Sequence, residues 1–96
     1  MTLNVTALLK VRELVGWSQK AVKFTGDTLE QFLKEIATID GRTLHDVFVQ
    51  EDSSINSDYL VWLNCRPVKQ AYRLDIPLRS GDRIIVMPAI AFRGGG

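Results

Sequence analysis

The sequence ends in three consecutive glycines, Gly94, Gly95 and Gly96. Glycine has no side chain to pack and loses the most backbone freedom on folding, so a glycine run adds nothing to a core. Its simplest interpretation is an unstructured end without a function. A tail without side chains can, however, enter a narrow channel, and it leaves the α-carboxylate of Gly96 unshielded by any Cβ. The chemistry that these residues could support is activation of that carboxylate.

A carboxylate is a poor electrophile until it is activated. Attack of the Gly96 carboxylate on ATP would give an acyl-adenylate, from which sulfide or a persulfide could displace AMP to leave a thiocarboxylate. That sulfur is a nucleophile at neutral pH, and the tail would carry it into the pocket of another enzyme. A lysine amine could instead displace AMP, which would attach the chain to a protein. The tail therefore predicts either a sulfur carrier or a protein modifier.

Phe92 and Arg93 precede the glycines and are candidate partner-binding residues. Phe92 could anchor the base of the tail in a groove of a partner, or it could fold back onto its own domain. Arg93 could pair with an acidic patch on an activating enzyme, although a lone tail arginine is usually solvated. The sequence leaves these alternatives open.

Trp62 is the third candidate for partner binding. In a strand it shares one face with Leu60 and Asn64, opposite Val61 and Leu63. If a helix covers the Val61 side, Trp62 lies on the open face of the sheet, where an aromatic side chain suits an interface. Packing in the core and cover by the tail are the alternatives.

The elements that must position the tail begin with a hairpin and a helix. Residues 3–11 alternate between apolar and polar and predict a strand, residues 12–19 predict a wide turn, and residues 20–25 predict a second strand. Asp27 as N-cap, with Glu30 three residues later, predicts the start of an amphipathic helix.

Gly41 should end this helix at about residue 39. Its single apolar stripe must lie on a sheet. The predicted elements that follow are a short segment at 43–49, an apolar strand at 59–65, a turn at Arg66-Pro67, an edge strand at 68–72, a tight turn at Ser80-Gly81-Asp82, and a central strand at 83–88 covered on both faces.

This order, β-β-α-β-β-β, places the first and last strands side by side in the centre of the sheet. It predicts an α+β fold of the β-grasp type, with a mixed four- to five-stranded sheet packed on one main helix, although other α+β rolls share the order. Residues 1–90 would form the domain and residues 91–96 a flexible glycine tail.

Composition restricts the class of function. The chain has 96 residues and a net charge of +1. It lacks the concentrated basic face that nucleic-acid binding usually needs, and no apolar run approaches the ~18 residues of a membrane span. One cysteine, Cys65, cannot form an internal disulfide. We expect a cytoplasmic domain that binds neither nucleic acid nor membrane.

Other polar residues have structural interpretations. Cys65 follows the apolar alternates Val61 and Leu63, so we expect it to face the core, whereas a sulfur-relay thiol would need exposure and a lowered pKa. His45 is the single histidine, a poor metal site and more typical of a surface helix end. One group of five acidic residues is most simply a solvated loop: Asp40, Asp46, Glu51, Asp52 and Asp58.

Several segments resemble the ubiquitin-like sulfur carriers, above all the small subunit of molybdopterin synthase and the thiamine-type carriers. The resemblance covers nearly the whole chain and ends in the terminal diglycine. The segments that carry it are Leu9-Lys10-Val11-Arg12-Glu13-Leu14-Val15-Gly16, Asp27-Thr28-Leu29, Val61-Trp62-Leu63-Asn64, Pro77-Leu78-Arg79-Ser80-Gly81-Asp82-Arg83-Ile84 and Met87-Pro88-Ala89-Ile90.

The resemblance implies a β-grasp fold and a carrier that is not itself an enzyme. Its partners would be an E1-like adenylating enzyme, a sulfur donor and a sulfur-accepting synthase, with no bound cofactor of its own and ATP used by the activating enzyme. Gly95-Gly96 would be the diglycine, and Gly96 would bear the thiocarboxylate for molybdenum cofactor or related sulfur-metabolite biosynthesis.

Two features depart from the family pattern. Residues 91–93 lengthen the tail, and a third glycine is present. Arg93-Gly94-Gly95 is also similar to the arginine-diglycine end of ubiquitin, which keeps conjugation to lysine as an alternative. A β-grasp binding module without tail chemistry is a second alternative.

Overall fold

The computed structural model describes residues 1–52, 54–68 and 74–89. In these segments a five-stranded sheet with the strand order β2-β1-β5-β3-β4 carries its helices on one face. The elements in chain order are β1 (Thr2–Ala7), α1 (Lys10–Val15), β2 (Gln19–Lys23), α2 (Leu29–Glu35), α3 (Leu44–Phe48), β3 (Tyr59–Leu63), β4 (Arg66–Pro67) and β5 (Arg83–Pro88).

The two central strands are the first and the last of the chain, as the sequence predicts. β1 and β5 are parallel, in a register that runs from Asn4 opposite Arg83 to Ala7 opposite Val86. The other three pairings, β1 with β2, β5 with β3 and β3 with β4, are antiparallel. A mixed sheet of this order, packed against a main helix, is the β-grasp fold.

The hydrophobic core lies between the sheet and α2. Leu29, Phe32 and Leu33 of α2 are fully buried, and the Phe32 ring meets the Phe24 ring edge to face at 5.9 Å between centroids. Each such side chain contributes about 1.5–3 kcal/mol by leaving water. The sheet contributes alternate residues to the same core: Leu3, Val5, Ala7, Val61, Ile84 and Val86.

The predicted first strand is too long. β1 ends at Ala7, and Lys10–Val15 form a helix where the sequence predicted the end of a strand and a turn. Val11 and Val15, one helical turn apart, are buried, whereas Leu9 is 56% exposed. Gly16 ends α1 in the left-handed conformation at φ +83°, which glycine adopts without steric cost.

The main helix begins one residue later than predicted and ends earlier. Thr28, not Asp27, is the N-cap, and its box partner is Gln31, not Glu30. The helix ends at Glu35 because Ile36 is extended, and Ala37 then bridges to Thr43.

The segment predicted at 43–49 is a further short helix, α3. Thr43 caps it in a reciprocal box with Asp46, and Leu44 and Phe48 are its buried residues. The helical layer therefore has more than the one predicted element.

The hairpin after β3 corrects three further predictions. β3 ends at Leu63, and the turn is made by Asn64 and Cys65, which have φ values of +51° and +69°. Arg66-Pro67, predicted as the turn, is instead strand β4, and residues 69–72 of the predicted edge strand lie outside the described residues. Cys65 is exposed, so the prediction that it faces the core is wrong.

Strand β5 is central, and its two faces differ in burial. Ile84 and Val86 are fully buried in the core, and Pro88 is buried on the same side. Ile85 and Met87, on the opposite face, are half-buried, so the predicted cover is partial on that side.

Candidate functional site

The tail residues lie outside the described residues, namely Phe92, Arg93, Gly94, Gly95 and Gly96. Their predicted roles and the boundary at residue 91 stay predictions. The structure describes instead the part of the domain from which the tail continues.

The root of the tail is fixed to the sheet. Pro88, the last residue of β5, lies opposite Tyr59, the first residue of β3. One residue later, the Ala89 N–H donates a hydrogen bond to the Asp58 carbonyl at 2.8 Å. Ala89 itself is 7% exposed. The central strand therefore holds the chain in place up to the residue before the undescribed tail.

Two exposed leucines lie at the same end of the sheet. Since β1 and β5 are parallel, their C-terminal ends lie side by side at one end of the sheet. There the Leu8 N–H donates to the Val86 carbonyl at 3.0 Å. Leu8 and Leu9 are 38% and 56% exposed. Apolar side chains beside a tail root suit contact with the protein that receives the tail.

Trp62 lies on the face of the sheet that the helices leave uncovered. Val61 points into the core and is 1% exposed, whereas Trp62 is half-buried on the other side. The strand register places Ile85 directly opposite Trp62, and Met87 opposite Leu60. We call these four residues, Leu60, Trp62, Ile85 and Met87, the open-face cluster. The predicted position of Trp62 agrees with the structure, while its partner-binding role stays a prediction.

Polar groups frame the open-face cluster at the end of the sheet farther from the tail root. The Asn64 side-chain amide donates to the Asp82 carboxylate at 2.9 Å, and its oxygen accepts from the Arg83 N–H at 2.9 Å. Asp82 also accepts from the Arg79 N–H at 2.8 Å. These bonds tie the β3–β4 hairpin to the turn before β5, so the cluster has a rigid frame.

The remaining candidate residues have local structural roles. His45 Nε2 lies 3.3 Å from a Glu30 carboxylate oxygen and links α3 to α2. The Asp40 carboxylate accepts two hydrogen bonds from the Arg42 guanidinium, at 2.7 and 3.0 Å, and one from the Thr38 hydroxyl. The Arg42 bonds, followed by the Thr38 bond, hold the pKa of Asp40 well below its ordinary value.

Neither a metal site nor a membrane span is found in the parts that the structure describes. Across residues 1–52, 54–68 and 74–89, no three His, Cys, Asp or Glu side chains are grouped as metal ligands would be. Each helix within these segments is too short and too polar to cross a bilayer.

Sequence reasoning missed Leu8 and Leu9 as candidate contact residues. It treated Leu9 as part of a buried strand face, because apolar residues alternate through residue 11. The helical spacing of Val11 and Val15, followed by Gly16, is the signal that could have separated α1 from β1 and left the leucines at the junction.

Solved structures of similar fold come from small proteins of comparable length. Small archaeal modifier protein 1 from Haloferax volcanii is 17% identical, with 91% of this chain and 95% of that chain covered and a TM-score of 0.66. A Pyrococcus furiosus protein assigned as molybdopterin converting factor subunit 1 is 23% identical, with 92% and 97% covered and a TM-score of 0.63.

A chain of the Amycolatopsis orientalis BexX/CysO complex is 19% identical, with 91% of this chain and 94% of that chain covered and a TM-score of 0.60. At these identities the likeness establishes the fold. None of the curated proteins matches the sequence at a significant level.

The sequence itself establishes the family. The model of the ThiS family matches residues 7–95, which is nearly the whole chain. With its β-grasp fold, this chain belongs to the ThiS family of ubiquitin-like sulfur carriers, small proteins that are not enzymes themselves and act with partner enzymes.

Proposed function

We propose that this protein carries sulfur as a thiocarboxylate on Gly96. The observation that carries the proposal is the path of β5, which runs through the centre of the sheet and is hydrogen-bonded up to Ala89, directly before the tail. A rigid root followed by a segment that ends in three glycines suits delivery of a reactive carboxylate into another protein's pocket. Membership of the ThiS family supports the same assignment.

Activation would take place on an E1-like partner that binds ATP. The Gly96 carboxylate attacks the α-phosphorus of ATP, pyrophosphate leaves, and an acyl-adenylate forms. A sulfide sulfur then attacks the carbonyl carbon, AMP leaves with the bonding electron pair, and the thiocarboxylate remains. With a persulfide donor the same attack gives an acyl disulfide, and a thiol must then attack the donor's sulfur, form a disulfide with it and release the thiocarboxylate. The absence of a Cβ at Gly94, Gly95 and Gly96 lets the tail pass a narrow channel to reach the nucleotide.

The open-face cluster would bind the partner enzymes. Its central residue Trp62 and its neighbours Ile85 and Met87 are half-buried, on a face that no helix of the described residues covers. Aromatic residues and methionine are enriched at protein interfaces. The exposed Leu8 and Leu9 would add to this contact, as would Phe92 and Arg93 of the tail.

The acceptor that we propose is an enzyme of molybdopterin-type cofactor biosynthesis. Support comes from the molybdopterin-synthase-like segments of the sequence and from the likeness to the P. furiosus molybdopterin converting factor subunit. Enzymes that build a thiazole or a sulfur amino acid are the other acceptor classes with the same requirement for a thiocarboxylate.

Intact-protein mass spectrometry tests the sulfur chemistry. The protein is incubated with ATP, sulfide and an E1-like adenylating enzyme from the same source. We expect a mass gain that corresponds to one oxygen replaced by sulfur, which disappears when Gly95 and Gly96 are deleted. An unchanged mass in the presence of a demonstrably active adenylating enzyme would refute the proposal.

A second candidate function is conjugation to lysine residues of other proteins. It is favoured by the Arg93-Gly94-Gly95 segment and by the structural likeness to an archaeal modifier protein. The two functions share adenylation and differ in the nucleophile that displaces AMP. Lysine conjugates that form without sulfide, and that need Gly96, would favour the modifier.

A further inference from the structure

The turn between β1 and α1 holds Leu9 in a backbone conformation that suits glycine. Leu9 has a φ of +55° and a ψ of −126°. The Val11 N–H donates to the Leu8 carbonyl at 3.1 Å, so residues 8–11 form a tight turn with Leu9 at its first central position. These angles are typical of that position in a type II′ turn, where glycine is favoured because a Cβ is strained. The protein therefore stores backbone strain at Leu9.

The elements on both sides impose this strain. Before the turn, the Leu8 N–H donates to the Val86 carbonyl at 3.0 Å, which fixes the chain to β5. After the turn, Val11 and Val15 of α1 are buried in the core. The chain must pass from the sheet to the helix within the turn, so Leu9 cannot relax. Strained residues persist where the surrounding structure fixes them, and they cluster at functional sites.

The Leu9 side chain is not held by core packing. It is 56% exposed and lies outside the hydrophobic core cluster of the described residues. Leu8, the residue before it, is 38% exposed, so two adjacent leucines present apolar surface to water. Within the described domain nothing offsets the strain of a leucine at this position. An exposed apolar pair on a strained turn therefore suits contact with another molecule.

A groove of about 360 Å³ lies beside the two leucines. The described residues that line it are Ala7, Leu8, Leu9, Arg12 and Ser18. Arg12 is the one charged residue among them; it is exposed and forms no salt bridge with any described residue. An apolar wall beside a single guanidinium fits an apolar side chain that is accompanied by a carboxylate.

The groove lies at the end of the sheet from which the tail leaves. Leu8 is bonded to Val86, and β5 ends two residues later at Pro88. Gly96 is seven residues beyond Ala89, and seven extended residues span at most about 25 Å. A protein that receives Gly96 therefore comes close enough to the root of the tail to contact the groove.

We propose that Leu9 is a strained contact residue for the E1-like adenylating enzyme, and that the groove beside it receives an apolar side chain and a carboxylate of that enzyme. Leu8 and Leu9 bury their exposed apolar surface against the side chain, and Arg12 pairs with the carboxylate. The leucine at position 9 lowers the stability of the domain and provides binding. The inference rests on the proposed function, because its occupant is the enzyme that activates Gly96.

Leu9→Gly tests the strain and the contact together, because its two effects have opposite signs. Relief of the strain should raise Tm by about 4–8 °C. Loss of the side chain should weaken binding to the adenylating enzyme at least about tenfold. Scanning calorimetry of the full-length chain measures Tm, and titration calorimetry without ATP or sulfide measures binding.

Two further variants separate the effects. Leu9→Ala keeps a Cβ in the turn, so it should weaken binding without raising Tm. Ile39→Ala shortens another exposed aliphatic side chain, 74% exposed in the loop after α2, and is the matched control that should bind like the unmodified chain.

Arg12→Gln tests the charged part of the groove. It should weaken binding by about threefold at low salt and by less at high salt, because an exposed ion pair is screened. Lys34→Gln removes the same charge from an exposed position on α2 and should leave binding unchanged. Equal losses in the two variants would mean that Arg12 has no specific partner carboxylate, which contradicts the proposal.

Other results would also overturn the proposal. These are no binding by the unmodified chain, undiminished binding or an unraised Tm in Leu9→Gly, an equal loss of binding in Ile39→Ala, and a dimer in sedimentation that Leu9→Gly dissociates, which would make a second copy the occupant.

Formation of the thiocarboxylate is followed separately by intact-protein mass spectrometry. If the unmodified chain binds, Leu9→Gly binds weakly and neither gains sulfur, the contact stands and the proposed chemistry fails. If all variants bind equally and all gain sulfur, the chemistry stands and the contact fails.

Discussion

At the scale of single residues, the β3–β4 turn shows how backbone geometry selects side chains. Asn64 and Cys65 are both left-handed, with φ values of +51° and +69°, as in the two-residue turns that favour Asn-Gly. Asn64 satisfies this preference and bonds Asp82 and Arg83 through its side chain. Cys65 occupies the position at which glycine has no steric cost.

Replacement of Cys65 by glycine should therefore stabilise the protein. A non-glycine residue in the left-handed region costs on the order of 1 kcal/mol, so we expect Cys65→Gly to raise the free energy of unfolding by about that amount. Cys65→Ala, which keeps the strained geometry, is the matched control and should change it little. Urea unfolding measures both, and destabilisation by the glycine would mean that the thiol packs in a core.

The same turn explains why the burial of Cys65 could not be predicted. The alternation Val61, Leu63, Cys65 is correct for as long as the strand continues, and β3 ends at Leu63. Beyond that residue the positive φ values turn the side chain outward, and only Asn64 signals this in the sequence. The role of the tail glycines stays a prediction, made from sequence alone because their chemistry requires no particular fold.

At the scale of secondary structure elements, the hydrogen bonds at the start of α2 show which of two candidate residues, Asp27 or Thr28, is the N-cap. The Thr28 hydroxyl accepts from the Gln31 N–H at 3.4 Å, and the Gln31 side chain accepts from the N–H groups of Thr28 and Asp27. The Asp27 contacts involve its backbone, since its N–H donates to Gln31 and its carbonyl accepts from Leu78.

Thr28→Ala should destabilise the protein by about 1 kcal/mol, the usual cost of losing an N-cap. Asp27→Ala, one residue earlier, keeps its backbone bonds and should cost much less. Chemical denaturation of the two variants provides the comparison. Equal losses of unfolding free energy in the two variants would contradict Thr28 as the N-cap and favour Asp27, the residue that the sequence pattern predicts.

Asp40, in the loop between α2 and α3, should make the free energy of unfolding depend on pH. Its carboxylate is bonded by Arg42 and Thr38, which lowers its pKa in the folded state. A lowered pKa means that the stabilisation is present above the unfolded value of about 3.9 and disappears as the pH falls towards the folded value.

We therefore expect the difference in unfolding free energy between the protein and Asp40→Asn to be largest near neutral pH and to shrink below about pH 4. Because Asp40 is on the surface, high salt should reduce the difference as well. Thermal unfolding followed across pH at low and high salt measures this dependence. A difference that is constant with pH would contradict the role assigned to the Asp40–Arg42 pair.

The junction of β1 and α1 shows that the alternation of apolar residues does not by itself predict where a strand ends. Leu9 and Val11 continue the alternation of β1, but the Leu9 backbone has a φ of +55° and ψ of −126°, which breaks the strand. No residue type in Leu8-Leu9-Lys10 signals this break, because leucine rarely adopts such a conformation. Tertiary packing of Val11 and Val15 determines the helix instead.

At the scale of the whole molecule, the order of elements carried more information than their boundaries. A parallel pairing of the first and last strands follows from a helix that crosses between two hairpins, and β1 does lie beside β5. What the order could not predict is the unequal burial of the two faces of β5. Ile84 to Met87 are apolar without interruption, so the run indicates cover on both faces, whereas Ile85 and Met87 lie in the open-face cluster.

The open-face cluster is half-buried, lies on the face that the described helices leave free, and belongs to a sheet whose central strand leads into the tail. This placement makes a prediction about partner binding. Met87→Lys places a charge within the open-face cluster, at the position opposite Leu60. Burying that charge in an interface should lower kcat/KM of adenylation by the partner enzyme at least about tenfold, which corresponds to about 1.4 kcal/mol. The substitution removes no buried core residue, so the unfolding free energy should change by roughly 1 kcal/mol or less.

Ala21→Lys adds the same charge on the exposed edge strand β2 and is the matched control. Ala21 lies opposite Asn4, which lies opposite Arg83, so it is at the end of the sheet far from the root of the tail. Adenylation of this variant should match that of the unmodified chain. If both lysines lower the rate equally, the effect is general electrostatics, and if neither does, the partner reaches the tail without binding the open face.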